Sequence, residues 1–305
     1  MTHPYASEGY ARSLAHAGTA LAVPEWGGHV LVRPIVGGAR QDATGAYPLA
    51  ALAADADLAG GLARLAAAGL VSVVLVVDDR LRPGLEALEA AFGRVRRFKS
   101  HFVYDRTRGP QAYDKHHRYE IRRANGRVEA REIVLAEHLS AWTALYGELS
   151  ARHGLGGLHA FPAAHHETLA AMVGVRTFGA FMEGELVSAH VFVTHAGYAV
   201  SHLAASSPEG YRNGAAYAVN ALAIEALTDC EAINFGGGAG AGDDPSDGLV
   251  RFKKGFANHI AASWLCGAIL DAEAYQALSA DAGDGGFFPA YRGARKVERS
   301  DEHQG

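Results

Sequence analysis

A glycine-rich loop followed by a short basic helix, between positions 234 and 256, carries the residues best suited to chemistry. The pattern predicts a strand over 231–235, then the glycines, an acidic turn, and a helix over 246–254 with Arg251, Lys253 and Lys254. Glycines let a backbone approach a ligand closely, and a positioned cation stabilises negative charge that develops on a reacting oxygen. The segment therefore indicates a ligand site, with a flexible surface loop beside a solvated basic helix as the alternative.

The loop matches none of the common glycine motifs of nucleotide-binding or hydrolytic enzymes. The Gly-x-x-x-x-Gly-Lys-Ser/Thr spacing of a P-loop is absent. The dinucleotide fingerprint needs a glycine at 241 or 243, where the chain has Ala241 and Asp243. No Gly-x-Ser-x-Gly elbow occurs either, so a hydrolase triad of that type is not predicted.

A second candidate segment, at positions 211–217, precedes a long apolar helix predicted over 213–228. Backbone N–H groups at a helix start bind phosphate, and Arg212 is suited to contact a phosphate of a donor. Gly214 and Ala216 match the second half of the pyrophosphate motif of acyl-CoA-dependent enzymes, whereas Tyr211 occupies its first position instead of Gln or Arg. The segment fits a phosphate-bearing donor, and a plain helix start after a turn is the alternative.

A basic helix predicted over 111–124 contains Lys115 and Arg122, and further basic residues at 94–99 precede it. Clustered positive charge suits a phosphate-rich partner such as a tRNA acceptor stem. Charge runs on helices also serve simply as solvated faces, so both interpretations stay open. Arg122 is the residue we favour for a contact with the partner.

Histidines on two predicted strands, His190 and His202, are candidates for the base that deprotonates an acceptor amine, because histidine titrates near neutral pH. Satisfied core or surface histidines are the alternative. No His-Glu-x-x-His or Cys-x-x-Cys pattern is present, so no metal site is predicted.

The elements that would position these residues alternate between strands and helices along the chain. The fold class predicted is α/β, or α+β, with mixed, antiparallel-rich sheets flanked by helices. Predicted strands cover 28–36, 71–77, 95–104, 127–133, 175–182, 186–195, 198–205, 231–235 and 260–270. Predicted helices cover 58–68, 82–92, 111–124, 137–153, 162–172, 213–228, 246–254 and 272–279. The dipeptides at 183–184 and 196–197 predict tight hairpins.

Length and composition bound the class of protein. The 305 residues predict two domains, divided at the glycine-rich stretch near 155 into 1–155 and 156–292, with a disordered tail over 293–305. The formal net charge of −5 excludes a general nucleic-acid binder but leaves room for a local basic patch. Cys230 and Cys266 are expected to be buried free thiols. With no apolar run long enough for a membrane span and no export signal at the start, we expect a cytoplasmic protein.

Several of these segments together carry a resemblance to a known family. The order Phe235-Gly236-Gly237-Gly238, acidic turn, Asp247-Gly248-Leu249, Phe252-Lys253 and Phe256 resembles the C-terminal signature of FemAB-like transferases. Weaker similarities lie at 119–128, at 211–226 and at 287–292. The resemblance spans about residues 90–292.

The resemblance implies a tandem pair of domains of the GNAT acyltransferase type and an enzyme that forms an amide bond. It implies an aminoacyl-tRNA donor, no cofactor, and an amine acceptor in a small peptide, a natural product, a cell-wall precursor, or a carrier-bound or nucleotide-linked compound. An acyl-CoA-dependent N-acyltransferase on the same fold is the first alternative. A non-catalytic binding protein for a nucleotide-linked peptide is the second. The helical coiled-coil arm of many family members is absent from this sequence.

The resemblance also assigns roles to residues. Lys253 would hold the oxyanion of the donor carbonyl, and Phe252 would stack on the terminal adenosine. The donor-binding residues expected are Arg212, Asn213, Gly214, Tyr217, Arg251, Lys254, Arg122 and Lys115. The acceptor-binding residues expected are His202, Asn234, Gly237, Gly238 and Asp247.

Overall fold

The chain folds into two compact units, seen in a computed structural model that describes residues 2–35, 37, 40–239, 246–280, 282 and 286–293. Unit 1 combines the described residues up to Arg97 with those from Ser263 onward, and unit 2 is Phe98–Ala262. This division differs from the predicted boundary near 155, which lies inside unit 2. Part of the predicted glycine loop, 240–245, and the predicted disordered tail beyond 293 lie outside the described residues.

Helices and strands alternate along much of the described chain. The α-helices are α1 (Glu8–Ser13), α2 (Leu58–Ala67), α3 (Leu85–Ala91), α4 (Lys115–Asn125), α5 (Leu139–His153), α6 (Ala163–Ala171), α7 (Pro208–Arg212), α8 (Ala215–Ala226), α9 (Gly248–Lys254) and α10 (Ala272–Leu278). The strands are β1 (Thr19–Val23), β2 (Gly28–Pro34), β3 (Gln41–Gly45), β4 (Ser72–Asp78), β5 (Arg94–Asp105), β6 (Glu129–Ile133), β7 (Val175–Met182), β8 (Glu185–His195), β9 (Tyr198–Ser206), β10 (Ala232–Asn234) and β11 (His259–Ile269).

Unit 1 is built on strands in the order β1, β2, β3, β4 and the part of β11 from Ser263 onward. Neighbouring strands run antiparallel except β3 and β4, which are parallel. The valine-rich β4 is largely buried because apolar side chains cover both of its faces. Trp26, Leu65 and Leu75 are among the largest buried side chains of this unit.

A charged cluster in unit 1 is built around Asp42, whose side chain is fully buried. The Asp42 carboxylate accepts hydrogen bonds from Arg33 Nε at 3.1 Å, from Arg292 Nη2 at 2.8 Å and from Tyr291 Oη at 3.1 Å. Tyr291 Oη also lies 2.8 Å from Ser72 Oγ. A buried carboxylate is thus paired with two guanidinium groups and ties positions 291–292 to β2, β3 and β4.

Unit 2 is built on strands in the order β5, β10, β9, β8, β7 and β6. Only β10 and β9 run parallel; β5–β10, β9–β8, β8–β7 and β7–β6 are antiparallel. Eight consecutive residues of β8 are buried, so helices cover both faces of this strand. α8 packs on β7 and β8 with α4 beside it, while α5 packs on β8 and β9 with α6 beside it.

The parallel pair separates at the point where β10 ends. Ala232, Ile233 and Asn234 pair with Tyr198, Ala199 and Val200, whereas β9 continues to Ser206. The chain beyond Asn234 stays with β5, because Phe235 N–H donates to Phe102 O and Phe102 N–H donates to Gly236 O. Ser201 is therefore the first residue of β9 that has no partner on β10.

The predicted fold class, a mixed α/β arrangement with antiparallel-rich sheets flanked by helices, is confirmed. Both predicted hairpins are present, with Glu183 and Ala196 at positive φ and glycine after each, as tight two-residue turns require. The two cysteines are free and buried, as expected. In the part of the chain that the structure describes, no helix combines the length and the apolar character needed to cross a bilayer.

Several sequence-based bounds were wrong, and each has a local cause. α3 begins three residues later than predicted because Pro83 and Gly84 precede it. α4 begins at Lys115 instead of 111 because Asp114 caps it by accepting from His117 N–H. α1, β1, β3 and α7 were not predicted; they are five or six residues long and too short for a clear periodic pattern.

The glycine-rich stretch near 155 is a turn between two helices of unit 2, which explains why it does not separate the compact units. Gly154 ends α5 with a left-handed φ of 57°, the usual glycine cap of a helix. α5 and α6 then pack against each other, and Tyr146 Oη donates to His159 O across the turn.

Candidate active site

The glycine loop that follows β10 is held against β5 by close backbone contacts. A Cβ added at Gly237 would lie 2.9 Å from Ser100 O, and one added at Gly238 would lie 2.6 Å from Val250 Cγ2. Gly236 has a φ of +76°, a conformation that residues with a side chain rarely adopt. The three successive glycines are therefore required by close approach at two positions and by backbone conformation at the first.

Asn234, the last residue of β10, fixes the start of this loop from inside the unit. Its Oδ1 accepts from Gly236 N–H at 2.7 Å. Its Nδ2 lies 3.0 Å from His101 Nδ1 and donates to Tyr198 Oη at 2.9 Å. Since Asn234 is fully buried, these contacts make it a brace for the loop. Its predicted direct contact with an acceptor stays a prediction.

Two lysine side chains converge on the carbonyl groups of the loop. Lys253 Nζ donates to Gly237 O at 2.7 Å, and Lys99 Nζ donates to Gly238 O at 3.3 Å. Lys253 is on α9 and Lys99 is on β5, so the site joins residues that are distant in sequence. Asp247 caps α9 by accepting from Leu249 N–H, and its second oxygen accepts from Ala239 N–H at 3.2 Å.

The surroundings of Lys253 lower its pKa to about 8. Burial is the largest cause, because desolvation penalises the charged form. The nearby ammonium of Lys99 lowers the pKa further, and the carboxylate of Asp247 acts in the opposite direction. An ammonium in such a partly dehydrated site interacts strongly with negative charge that forms close to it.

A cluster of aromatic rings packs against α9, the helix that carries Lys253. The ring of Phe252 lies 4.8 Å from Tyr217 and 5.1 Å from Phe256. His117 of α4 is buried, and its Nε2 donates to Phe252 O at 3.0 Å. The ring of His117 fills the space beside Gly255, where an added Cβ would lie 1.9 Å from it. The predicted pair Phe252–Lys253 thus has a half-buried ring and a lysine aimed at the loop.

The second segment forms the turn that leads into α8. Gly214 adopts a left-handed φ of 71° at the N-cap of α8. Arg212 O accepts from Arg123 Nη2 at 2.9 Å, and Asn213 Oδ1 accepts from Arg127 Nη1 at 3.4 Å. These contacts attach the turn to the end of α4 and leave the Arg212 side chain exposed.

The predicted basic residues surround these two segments. Lys115 and Arg122 on α4 are exposed, as are Arg251 and Lys254 on α9. The two helices are in contact through His117. Within the described residues none of these four side chains forms an ion pair, and all four are exposed to solvent.

The two histidines predicted as candidate bases occupy different surroundings. His202 Nε2 lies 3.3 Å from His165 Nε2 of α6, and the ring of His165 stacks on Phe161. His190 instead lies between Ser201 of β9 and Asn220 of α8. Burial lowers the pKa of His190 to about 3 and that of His202 well below its usual value, so both are neutral at neutral pH. Because His190 contacts Asn220 of α8 and His202 contacts His165 of α6, only His190 lies on the α8 side of the sheet.

Sequence reasoning missed several residues that the fold brings to the site. His101 and Tyr198 contact Asn234. Ser201 and Asn220 contact His190. The sequence placed Lys99 only among the basic residues before α4. The one signal available was the alternation of β5, in which Lys99 and His101 share a face. Across the described ranges, no group of three His, Cys, Asp or Glu side chains is arranged to hold a metal ion.

The fold of this chain is similar to that of several proteins of known structure. No family model and no curated protein sequence matches the chain. Among solved structures, FemX matches with a TM-score of 0.64 at 13% identity, over 90% of this chain and 95% of FemX. The C-terminal domain of a putative lysylphosphatidylglycerol synthetase from Agrobacterium fabrum matches with a TM-score of 0.61 at 13% identity, over 88% of each chain.

A third structure, L-PGS from Bacillus licheniformis, matches with a TM-score of 0.55 at 12% identity, over 87% of this chain and 92% of that one. The chain therefore has the FemX-type fold, and the resemblance to FemAB-like proteins seen in the sequence is confirmed at the level of fold. At these identities the comparisons establish the fold, and the reaction of a protein depends on the residues of its site.

Proposed function

We propose that the protein is an acyltransferase that moves an aminoacyl group from aminoacyl-tRNA to an amine and so forms an amide bond. The observation that carries this proposal is Lys253, a partly dehydrated ammonium held 2.7 Å from a loop carbonyl in a glycine cradle. This placement suits a group that polarises an ester carbonyl and stabilises the oxyanion formed from it.

The reaction needs no covalent intermediate with the enzyme. The acceptor nitrogen attacks the ester carbon, the C–N bond forms, and the C–O bond to the terminal ribose breaks. Lys253 neutralises the charge on the carbonyl oxygen meanwhile, and the proton lost by the amine ends on the ribose oxygen. Holding both substrates in reactive geometry supplies the remainder of the rate enhancement.

The exposed basic residues favour tRNA as the source of the aminoacyl group. Lys115, Arg122, Arg251 and Lys254 lie on two contacting helices, one of which also carries Lys253. Phosphate contacts of this type give salt-dependent affinity that does not depend on sequence. The acceptor in this proposal is an amine on a small peptide, a natural product or a cell-wall precursor.

The second candidate function is an acyl-CoA-dependent N-acyltransferase. The observation that favours it is Gly214, whose left-handed conformation at the start of α8 resembles a turn that presents backbone N–H groups to a phosphate. A non-catalytic binding protein is a third candidate. It would keep its ligand affinity in Lys253→Ala and turn over no donor.

Donor binding separates these candidates. Labelled bulk tRNA and coenzyme A are titrated separately against the wild type, Arg122→Ala and Lys253→Ala at about 50 and about 200 mM salt. We expect tRNA affinity to fall steeply with salt and Arg122→Ala to lower the log–log slope by about one. Arg12→Ala is the matched control, since Arg12 is an exposed arginine of α1 paired with Glu8.

Turnover is then followed with bulk tRNA charged with radiolabelled amino acids and a panel of primary amines. Amide product that is formed by the wild type and lost in Lys253→Ala supports the proposal. Tight binding of coenzyme A without binding of tRNA contradicts the tRNA-dependent reaction and leaves the acyl-CoA enzyme. Binding of tRNA without turnover of any donor leaves the binding protein.

A further inference from the structure

We infer that Ser201 is a specificity residue that accepts a hydrogen bond from the α-amino group of the aminoacyl donor, with His190 and Asn220 as positioning residues behind it. The inference deepens the proposed function and rests on it, because it concerns how the same site tells an aminoacyl group from a simple acyl group. It is carried by a chain of hydrogen bonds whose directions the structure fixes.

The first link is the orientation of Asn220 on α8. Its Nδ2 donates to Ala216 O at 2.7 Å, and a carbonyl oxygen can only accept. The amide oxygen of Asn220 therefore points the other way, toward His190 Nδ1 at 3.0 Å. Since this oxygen also can only accept, the hydrogen on Nδ1 is required.

The second link is the tautomer of His190. Its two ring nitrogens contact an amide oxygen and a hydroxyl, neither of which is a carboxylate that would favour imidazolium. Burial keeps the ring neutral, and the nearby charge of Lys253 acts in the same direction by lowering the pKa of His190. A neutral ring with its hydrogen on Nδ1 presents a lone pair on Nε2.

The third link is the direction of the hydroxyl hydrogen of Ser201. His190 Nε2 lies 2.7 Å from Ser201 Oγ and can only accept, so the single hydroxyl hydrogen of Ser201 is directed at it. The remaining capacity of Ser201 Oγ is lone pairs. Half-buried Ser201 thus presents an acceptor and no donor to whatever lies beside it.

The location of Ser201 is where a substrate group can enter the sheet. It is the first residue of β9 after the pairing with β10 stops at Val200 and Asn234. The glycine loop that holds Lys253 leaves β10 at the same point. The helix α9, which carries Lys253, packs on α8 through Phe252 and Tyr217, and α8 also carries the Asn220 that contacts His190. We therefore assign the carbonyl of the donor to Lys253 and the amino group on its α-carbon to Ser201.

An acceptor-only group at this position selects donors that carry an N–H beside the carbonyl. An aminoacyl group has this N–H on its α-carbon, whereas an acetyl or other simple acyl group has only C–H there. The preference for one neutral hydrogen bond is about five- to tenfold in affinity.

Matched pairs of stable donor analogues test the inference. Each pair is a 3′-aminoacylamino-3′-deoxyadenosine and its deamino counterpart, for example the alanyl and propionyl compounds, in a panel covering the encoded amino acids. We expect the wild type to bind the aminoacyl member of its preferred pair about five- to tenfold more tightly. Ser201→Ala and His190→Gln should reduce this ratio to about one, while Ser201→Thr, which keeps a hydroxyl, should retain it.

Ser206→Ala is the matched control, because Ser206 is another serine of β9 that hydrogen-bonds within the strands, to Ser188 Oγ. Nitrogen-15 NMR of the histidine rings gives a readout without any ligand and should show His190 protonated on Nδ1. A hydrogen on Nε2 overturns the inference, as does an equal affinity for both members of every pair or no binding of any analogue. The proposed function is judged separately by the titration of intact tRNA, so it can stand when this inference fails.

Discussion

Each of the two units holds a cluster of charged side chains, and the two clusters are built in different ways. In unit 1 the buried carboxylate of Asp42 is surrounded by Arg33 and Arg292, so opposite charges meet directly. In unit 2 the ammonium groups of Lys99 and Lys253 converge on the carbonyl oxygens of Gly237 and Gly238. The carbonyl groups accept hydrogen bonds without carrying a net charge, and the carboxylate of Asp247 also acts on Lys253.

The difference separates a structural role from a chemical one. Opposite charges that meet in a buried site lose hydration free energy, and their mutual attraction offsets much of that loss. Such a cluster therefore holds segments of the chain together. Like charges close to one another raise the electrostatic potential of a site and penalise the charged form of each lysine. Burial is the main cause of the lowered pKa of Lys253, and the charge of Lys99 adds to this penalty. Negative charge that forms next to the two lysines relieves it.

The largest expected effect is on stability, from Asp42→Asn in unit 1. Removing the charge leaves two guanidinium groups without their buried partner, which costs about 3–5 kcal/mol. Urea unfolding should show a much lower midpoint. Glu25→Gln is the control, since Glu25 pairs with Arg64 at the surface and its loss should lower the midpoint only slightly. Equal losses in the two variants would mean that the Asp42 cluster is not a structural clamp.

Lys253→Met is expected to have the opposite profile, with folding kept and activity lost. Removing one group that stabilises an oxyanion lowers kcat by about 10²–10³-fold. Loss of a partly dehydrated ammonium relieves a desolvation penalty, so the unfolding midpoint should not fall. The neighbouring exposed lysine gives the control Lys254→Met, which should keep kcat while the loss of a phosphate contact raises KM. Normal turnover by Lys253→Met would contradict the chemical role of the pair.

Gly238→Ala should disturb the site through geometry alone. The new methyl would lie 2.6 Å from Val250 Cγ2, so the loop or α9 has to move. A displacement of about 1 Å at a reacting centre can lower kcat/KM about 100-fold. Gly248→Ala is the matched control, because nothing lies within 4 Å of its added Cβ.

The side chain of Val250 can be shortened in the double variant Gly238→Ala with Val250→Ala. We expect this double variant to recover part of the activity that Gly238→Ala loses. If the double variant is no better than the single one, the contact with Val250 does not explain the loss.

The sequence was sufficient to predict the parts of the site that are local. The site contains a strand, the glycines, the capping residue Asp247 and a basic helix, in that order within a short stretch of chain. Each of these can be recognised from the local residue types alone. The hairpins at 183–184 and 196–197 are equally local. These signals located Lys253 and the glycine loop, and the structure shows that the lysine reaches the loop.

The remaining parts depend on pairings between distant segments, which a single sequence does not encode in any simple period. Lys99 and His101 reach the loop only because β5 pairs with β10, which follows much later in the chain. Ser201 meets His190 because the register of β8 and β9 shifts between Val191 and Phe192, which no turn signal announces. Unit 1 combines the described residues up to Arg97 with those from Ser263 onward, so a boundary based on local composition fell in a helix–helix turn of unit 2.

The smallest expected effect concerns pH and tests whether the two lysines act on each other. Lys253 must be charged to stabilise an oxyanion, and its pKa is lowered to about 8 in the folded protein. The kcat/KM should therefore fall as the pH rises through about 8. Because the charge of Lys99 contributes to this lowering, Lys99→Met should raise the pKa of Lys253 and move the fall to higher pH, whatever its effect on the maximal rate.

A profile of kcat/KM from about pH 6.5 to about pH 9.5 for the wild type, Lys99→Met and the control Lys254→Met measures this shift. The control should keep the pH at which the profile falls, whatever its effect on the height of the profile, since Lys254 is exposed. A fall at the same pH in Lys99→Met would mean that burial alone sets the pKa of Lys253. The two ammonium groups would then be neighbours without being coupled, and the contrast with the paired charges around Asp42 would lose its basis.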